Sequence, residues 1–125
     1  MLYRSRVAVT VRFFKTGAGN EPAREYLQSL EKVDRQVCGA MLRAVQEYGL
    51  DASGVAKRQL EGKLWELKRG QHRLMYVMVT GPVMVVLHAC KKESGKARKV
   101  DLEVARERMK HVLDGERRRK KQTST

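Results

Sequence analysis

The fold is decided by one 29-residue stretch, LWELKRGQHRLMYVMVTGPVMVVLHACKK, residues 64–92. It contains three runs rich in β-branched, aromatic and other large apolar residues, at 64–69, 73–80 and 83–90. Two short breaks that each contain a glycine, Gly70-Gln71 and Gly81-Pro82, separate these runs. Because connections of this length join consecutive antiparallel strands, the stretch predicts a β-meander.

One further strand and three helices are predicted around the meander. Residues 6–14 alternate apolar and polar side chains, as a half-buried strand does. A helix is predicted to follow Asn20 as its N-cap with Pro22 in its first turn, a second to span 34–48 before a capping Gly49, and a third to span 101–113. The order β-α-α-β-β-β-α predicts an α+β domain of the kind in which the helices gather on one face of a largely antiparallel four-stranded sheet.

The chain is predicted to be a single domain with a short tail. Its 125 residues match the usual size of one domain. Residues 116–125 contain no apolar residue and hold the run Arg117-Arg118-Arg119-Lys120-Lys121. Since such a segment has nothing to bury, we expect residues 1–115 to form the domain and residues 116–125 to be a basic, disordered tail.

Charge indicates the class of partner. The formal net charge is +13, of which residues 116–125 contribute +4 and residues 1–115 the remaining +9. A globular body this basic favours a polyanionic partner, because binding phosphates releases counterions. We see no helix with a bulky apolar face that the core does not need, so nucleic acid is favoured over a membrane surface.

Cysteine content and hydropathy indicate the compartment. Cys38 and Cys90 form no CxxC pair and lie among apolar residues, which favours two buried reduced thiols in a cytosolic protein. No run of about 18 apolar residues occurs, and the N-terminus lacks the apolar core of a signal peptide. We therefore expect a cytoplasmic protein that has no membrane partner.

Motifs for metal or nucleotide chemistry are absent from the sequence. There is no Walker loop, GxGxxG or HExxH pattern. The histidines, His72, His88 and His111, do not fall at metal-ligand spacings with each other or with cysteine, and no converging carboxylates are evident. We therefore expect chemistry that uses no metal ion and no other cofactor.

Basic residues at the predicted strand ends form the candidate site. A hairpin around Gly81-Pro82 would place Arg73 beside residues 88–92 at one end of the sheet. Such a set suits RNA cleavage by the RNA's own 2′-hydroxyl, which needs a base, cations on the phosphate and an acid for the leaving oxygen. The full set is Lys57, Lys68, Arg69, Arg73, His88, Lys91 and Lys92.

Each member of this set also has a purely structural interpretation. His88, on a mostly apolar strand, is equally a hydrogen-bonded core histidine. The pairs Lys68-Arg69 and Lys91-Lys92 are equally a polar turn and a solvated strand exit. From the residues alone, the choice between an RNA-binding domain and an RNA-cleaving enzyme stays open.

A family resemblance bears on that choice. The segments KRQLEGKLWELK (57–68), HRLMYV (72–77), VVLHACKKE (85–93) and ARER (105–108) follow one another in an order that resembles the phage-derived HigB-type branch of the RelE/ParE toxin superfamily. The segments VRFFKT (11–16) and EPAREYLQSL (21–30) are similar too, so the resemblance covers roughly residues 10–113.

The resemblance implies a toxin of a type II toxin–antitoxin pair that cleaves mRNA on the ribosome without metal and is silenced by a helix-turn-helix antitoxin of the HigA kind. The catalytic residues it implies are Arg73, His88, Lys91 and Lys92. RNA binding is then assigned to the remaining cations, Lys57, Lys68, Arg69, Arg117, Arg118, Arg119, Lys120 and Lys121. The alternative is a non-catalytic toxin or binding protein of the same fold, directed at DNA gyrase or at RNA.

Overall fold

The computed structural model describes residues 8–92 and 99–123, and in these residues the chain forms five strands and three helices. The strands are β1 (Thr10–Phe13), β2 (Ala56–Glu61), β3 (Leu64–Arg69), β4 (His72–Val79) and β5 (Val83–Lys91). The helices are α1 (Pro22–Ser29), α2 (Lys32–Tyr48) and α3 (Lys99–Thr123). The predicted α+β class is therefore confirmed.

The strands form one sheet in the order β1-β5-β4-β3-β2. Strands β2 to β5 pair antiparallel with their neighbours in sequence, and β1 pairs parallel with β5. The predicted meander of β3, β4 and β5 is present. Gly70 and Gly81 in its turns have φ angles of 59° and 91°, a region that favours glycine.

The sequence prediction missed β2, so the predicted four-stranded sheet was wrong. Almost every residue of β2 is exposed, and its sequence AKRQLE lacks the apolar alternation by which strands are recognised. The strand exists because its backbone pairs with β3, with Lys57 opposite Leu67. Of the other predicted strand, residues 6–14, Arg6 and Val7 lie outside the described residues.

The helices cover both faces of the sheet, which corrects the prediction that they gather on one. On one face, α1 and α2 pack Leu27 and Met41 against the sheet residues Leu74 and Tyr76. On the other face, α3 packs with a second set of sheet residues, Leu64, Met75, Val77, Val85 and Leu87. β4 and β5 are buried almost continuously, as strands covered on both faces are. In the sequence this corresponds to nearly unbroken apolar runs, in place of the apolar–polar alternation of a half-exposed strand.

Helices α1 and α2 form a helical hairpin, and their ends agree in part with the ends predicted from the sequence. Pro22 opens α1 as predicted, but the N-cap position belongs to Glu21 and not to Asn20. Gly49 caps α2 as predicted, with a φ angle of 83° and its N–H donating to the carbonyl of Val45. Helix boundaries of this kind depend on one or two backbone angles, which side-chain preference alone does not fix.

Helix α3 is about twice as long as predicted. The expected disordered tail is wrong for residues 116–123, which continue the helix, while residues 124 and 125 lie outside the described part of the chain. Lysine, arginine and glutamate have high helix propensity. In addition, Nη1 of Arg117 lies 3.9 Å from Oδ1 of Asp114, one turn earlier in the helix. None of the helices in residues 8–92 and 99–123 is long and apolar enough to cross a membrane.

We predict that Ala105→Leu destabilises the protein, because Ala105 is fully buried between α3 and the sheet. Extra side-chain volume in a packed core costs about 1–3 kcal/mol. Ala40→Leu, at an exposed position of α2, is the matched control and should change the free energy of unfolding by less than about 0.5 kcal/mol. Chemical denaturation of both variants measures the difference, and equal stabilities would contradict the position of α3.

Candidate functional site

The strand register gathers the predicted basic residues at one end of the sheet, which we call the basic end. It consists of the last residues of β3 and β5 and the first residues of β2 and β4. Arg73 pairs with Lys68 on one side and with Cys90 on the other, and His72 pairs with Arg69 and Lys91. The predicted cations at the basic end are Lys57, Lys68, Arg69, Arg73, Lys91 and Lys92.

These cations occupy both faces of the sheet. The ring Nε2 of His72 lies 3.1 Å from Oδ1 of Asp34 on α2, so His72 and its register partner Lys91 face the helical hairpin. Lys68 and Arg73 alternate with them and therefore face the side covered by α3. The basic end thus presents positive charge around the rim of the sheet.

The side chain of Arg73 is held by contacts within the protein. Its side chain is only 10% exposed, and its Nη1 donates to the carbonyl oxygens of Gly70 and His72 at 2.7 and 3.0 Å. Its Nε lies 3.9 Å from Oε1 of the buried Glu66. Arg73 therefore holds the β3–β4 turn and compensates the Glu66 charge, a structural role that the sequence did not indicate.

A β-bulge sets the direction of His88. Met75 pairs with His88 and Tyr76 pairs with Val86, so Leu87 is the extra residue of β5. His88 consequently faces α3, where its ring meets Asp101. Regular alternation along β5 would place His88 on the face of Met84 and Val86, which pack in the core under α1 and α2, but the bulge turns it to the opposite face.

His88 and Asp101 form a closely spaced pair between β5 and the first turn of α3. Nε2 of His88 lies 2.7 Å from Oδ1 of Asp101, with the two side chains 19% and 6% exposed. An ionised carboxylate only accepts hydrogen bonds, so Nε2 of the ring is the donor in this contact. The arrangement orients the imidazole. In the sequence analysis, Asp101 stands only at the start of the third predicted helix.

Cys90 joins this pair in a group with metal-ligand character. One ligand atom from each of His88, Cys90 and Asp101 lies within 4.8 Å of the other two. The histidines show no metal-ligand spacing along the sequence, but the fold brings His88 close to Cys90 and Asp101. Spacing along the chain missed the group because Asp101 comes from a different element and Cys90 was interpreted as a core residue.

Tyr26 on α1 lies within electrostatic reach of the same residues. Burial raises the pKa of its phenol, and electrostatic interactions with Cys90, Cys38, Asp101 and Asp34 raise it further. The hydroxyl therefore stays protonated at neutral pH. The sequence placed Tyr26 only on an apolar stripe, and nothing in the spacing indicated its proximity to β5.

The remaining predicted RNA-binding residues are divided between two places. Lys68, Arg69 and Lys91 are exposed at the basic end, and Nζ of Lys57 is bound to Oδ1 of Asp51 at 2.7 Å. The run from Arg117 to Lys121 lies on α3, and at 1.5 Å per residue its first member is about 24 Å along the helix from Asp101. That run is therefore not part of the His88 site.

Solved structures place this fold in a known class. The structure matches that of the toxin–antitoxin complex RelBE2 from Mycobacterium tuberculosis with a TM-score of 0.53 and 20% identity, over 69% of this chain and 100% of that chain. It matches the isolated E. coli RelE toxin with a TM-score of 0.51 and 20% identity, over 80% of this chain and 98% of that one. The fold is therefore that of the RelE-like toxins.

The sequence narrows this class to a family. Residues 25–110, more than half of the chain, match the model of the family described as phage derived protein Gp49-like (DUF891). This protein belongs to that phage-derived Gp49-like family. No curated protein sequence matches the chain. The phage-derived family and the RelE-like fold expected from the sequence are confirmed.

We predict that deleting residues 116–125 makes RNA binding less dependent on salt, because the deletion removes five cations. On single-stranded RNA, the slope of log K against log salt should fall by up to about 0.7 for each lost phosphate contact. Deleting residues 122–125 alone removes no charged side chain and serves as the control. Filter binding at several salt concentrations measures the slope. Equal slopes for both deletions would show that the run does not contact RNA.

Proposed function

We propose that this protein is the toxin of a type II toxin–antitoxin system and a metal-independent endoribonuclease that cleaves mRNA on the ribosome. The observation that carries the proposal is the oriented His88–Asp101 pair beside the cations of the basic end. The RelE-like fold and the net charge of +13 support it. We place its action in the cytoplasm, where ribosomes are.

The proposed reaction uses the RNA's own 2′-hydroxyl. A base removes the hydroxyl proton, the oxygen attacks the adjacent phosphorus, and the bond to the 5′-oxygen breaks as that oxygen gains a proton. The products are a 2′,3′-cyclic phosphate and a 5′-hydroxyl. Proton transfer falls to His88, whose ring Asp101 orients, because an imidazole both accepts and donates near neutral pH.

In this reaction the positive charges of the cations stabilise the negative charge on the phosphate. Lys91, exposed at the last position of β5, and Lys92, half-buried just after it, lie at the rim of the sheet, where Lys91 faces the helical hairpin and His88 faces α3. Lysine and arginine near a crowded phosphate stabilise the charge that develops there. Arg73 is assigned to the same task, with its guanidinium held in place by the β3–β4 turn.

The main alternative is a non-catalytic toxin or binding protein of this fold, which acts on gyrase or RNA. The burial of Arg73 and its proximity to Glu66 favour this alternative, because a guanidinium occupied within the protein has fewer donors for a substrate. The two hypotheses differ in whether RNA is cut.

The proposed partners are the ribosome with its mRNA and an antitoxin with a helix-turn-helix domain of the HigA kind. The similar structure from Mycobacterium tuberculosis is that of a toxin–antitoxin complex, which supports a protein partner for this fold. A basic toxin body suits both a ribosomal RNA surface and an acidic protein segment.

We predict that producing this chain alone in bacteria arrests growth and that co-producing the antitoxin encoded beside it restores growth. The expected cause is loss of translation as mRNA is cut. Growth curves and incorporation of labelled amino acid measure the two effects. Normal growth at verified expression of folded protein would contradict the toxin function.

We predict that Lys91→Ala, Lys92→Ala, His88→Ala and Arg73→Ala each lower single-turnover cleavage of ribosome-bound mRNA. A lost transition-state contact costs about a hundredfold or more, whereas ribosome binding should fall far less because the other cations remain. Lys63→Ala is the matched control, since Lys63 is exposed in the β2–β3 turn at the opposite end of the sheet. Its cleavage rate should equal that of the wild type.

Thermal stability must be measured beside the rates. Arg73→Ala leaves the buried Glu66 uncompensated, which costs about 3–5 kcal/mol for a broken buried pair, so its lost activity has two causes. The exposed side chain of Lys91 makes Lys91→Ala the cleaner test of chemistry. Folded variants that all cleave at the wild-type rate would favour the binding-protein alternative.

A further inference from the structure

The His88, Cys90 and Asp101 group has the composition of a transition-metal site. It combines an imidazole nitrogen, a sulfur and a carboxylate oxygen, which are the three ligand types that Zn²⁺ takes in proteins. Catalytic zinc sites use three protein ligands and leave one position for water. The group therefore offers a complete protein contribution to such a site.

The distances suit a cation after small movements. With metal–ligand bonds of about 2.0–2.3 Å, ligand atoms of a tetrahedral site lie about 3.3–3.8 Å apart. The largest separation allowed within the group is 4.8 Å, so no pair needs to close by more than about 1.5 Å. The 2.7 Å contact between His88 and Asp101 must open slightly, as it would when a cation replaces the shared hydrogen.

The charge and the burial of these three residues also favour a bound divalent cation. A thiolate and a carboxylate together supply the two negative charges that balance a divalent cation, and Cys90 and Asp101 are both buried. The 19% exposure of His88 leaves that ligand accessible from solvent. We propose that His88, Cys90 and Asp101 bind a thiophilic divalent cation of the zinc type, with water as the fourth ligand.

The proposed site links β5 to the start of α3 and competes with the chemistry proposed above. A cation bound to His88 and Asp101 replaces the hydrogen bond that orients the imidazole, so the filled site no longer presents His88 for proton transfer. Occupancy therefore inhibits RNA cleavage. This consequence rests on the proposed function, whereas cation binding itself does not.

The second cysteine provides an internal control. Cys38 is buried on α2, where burial raises the pKa of its thiol and the nearby Asp34 raises it further. It is not a member of the group formed by His88, Cys90 and Asp101. Replacing Cys38 with serine therefore changes a buried thiol without touching the proposed ligands.

Cobalt(II) is the probe for the binding test, because its bond to a thiolate gives an intense near-ultraviolet absorption band and its visible bands report tetrahedral geometry. The full-length chain, freed of metal with EDTA and dialysed, is titrated with Co²⁺ and then with Zn²⁺ as competitor. We expect the thiolate band in the wild type and in Cys38→Ser, and its loss in Cys90→Ser. His88→Gln and Asp101→Asn should weaken Zn²⁺ binding at least about tenfold.

Circular dichroism and thermal melting establish that each variant is folded, and Cys90→Ala provides a second variant if Cys90→Ser is unstable. Absence of the band in the folded wild type would overturn the site. So would a band that survives in Cys90→Ser or disappears in Cys38→Ser. Zn²⁺ should also raise the melting temperature of the wild type and leave that of Cys90→Ser unchanged.

Cleavage assays separate the two proposals. We expect the metal-free wild type to cleave ribosome-bound mRNA in EDTA, and added Zn²⁺ to lower its rate while the rate of Cys90→Ser, relative to its own metal-free value, stays constant. Zn²⁺ binding without any effect on cleavage would overturn the inhibitory role. A metal-free protein that binds Co²⁺ through Cys90 but cuts no RNA would refute the proposed function and leave the cation site standing.

Discussion

Strands β4 and β5 pair antiparallel over eight residue pairs, from His72–Lys91 to Val79–Val83, at the centre of the sheet. Both strands are buried along most of their length, so each needs apolar cover on two sides, and the chain supplies it with a helical hairpin on one face and α3 on the other. The same pairing brings Arg73 beside Cys90 and sets the end of the sheet at which the cations meet. The β4–β5 register therefore determines both how the core packs and where the site residues meet.

A single extra residue in β5, Leu87, turns His88 to the opposite face of the sheet from the one that regular alternation predicts. Without the bulge at Leu87, strict alternation would turn His88 toward the helical hairpin, together with Met84 and Val86. With it, His88 faces α3 and meets Asp101, which lies 13 positions later in the chain. Bulges are frequent beside functional sites because they redirect one side chain while the flanking pairs stay in register.

Patterns of local origin were predictable from the sequence, and features that depend on distant partners were not. The meander follows from apolar runs and glycine turns, and Gly49 follows from the end of a helical stripe. β2 has no apolar pattern of its own and exists through backbone pairing with β3. The basic end was predictable in outline, since a hairpin already places Arg73 near residues 88–92, but the contacts of Arg73 with Glu66 and of His88 with Asp101 required the packed fold.

The helical state of the basic run changes what five consecutive cations can do. A flexible arm can bring all its charges onto one strand of phosphates, but on an α-helix neighbouring residues are rotated by about 100°. The side chains from Arg117 to Lys121 therefore point around the full circumference of α3. Five cations spread around a helix cannot all contact one strand of phosphates, so any single anionic surface meets only part of the run.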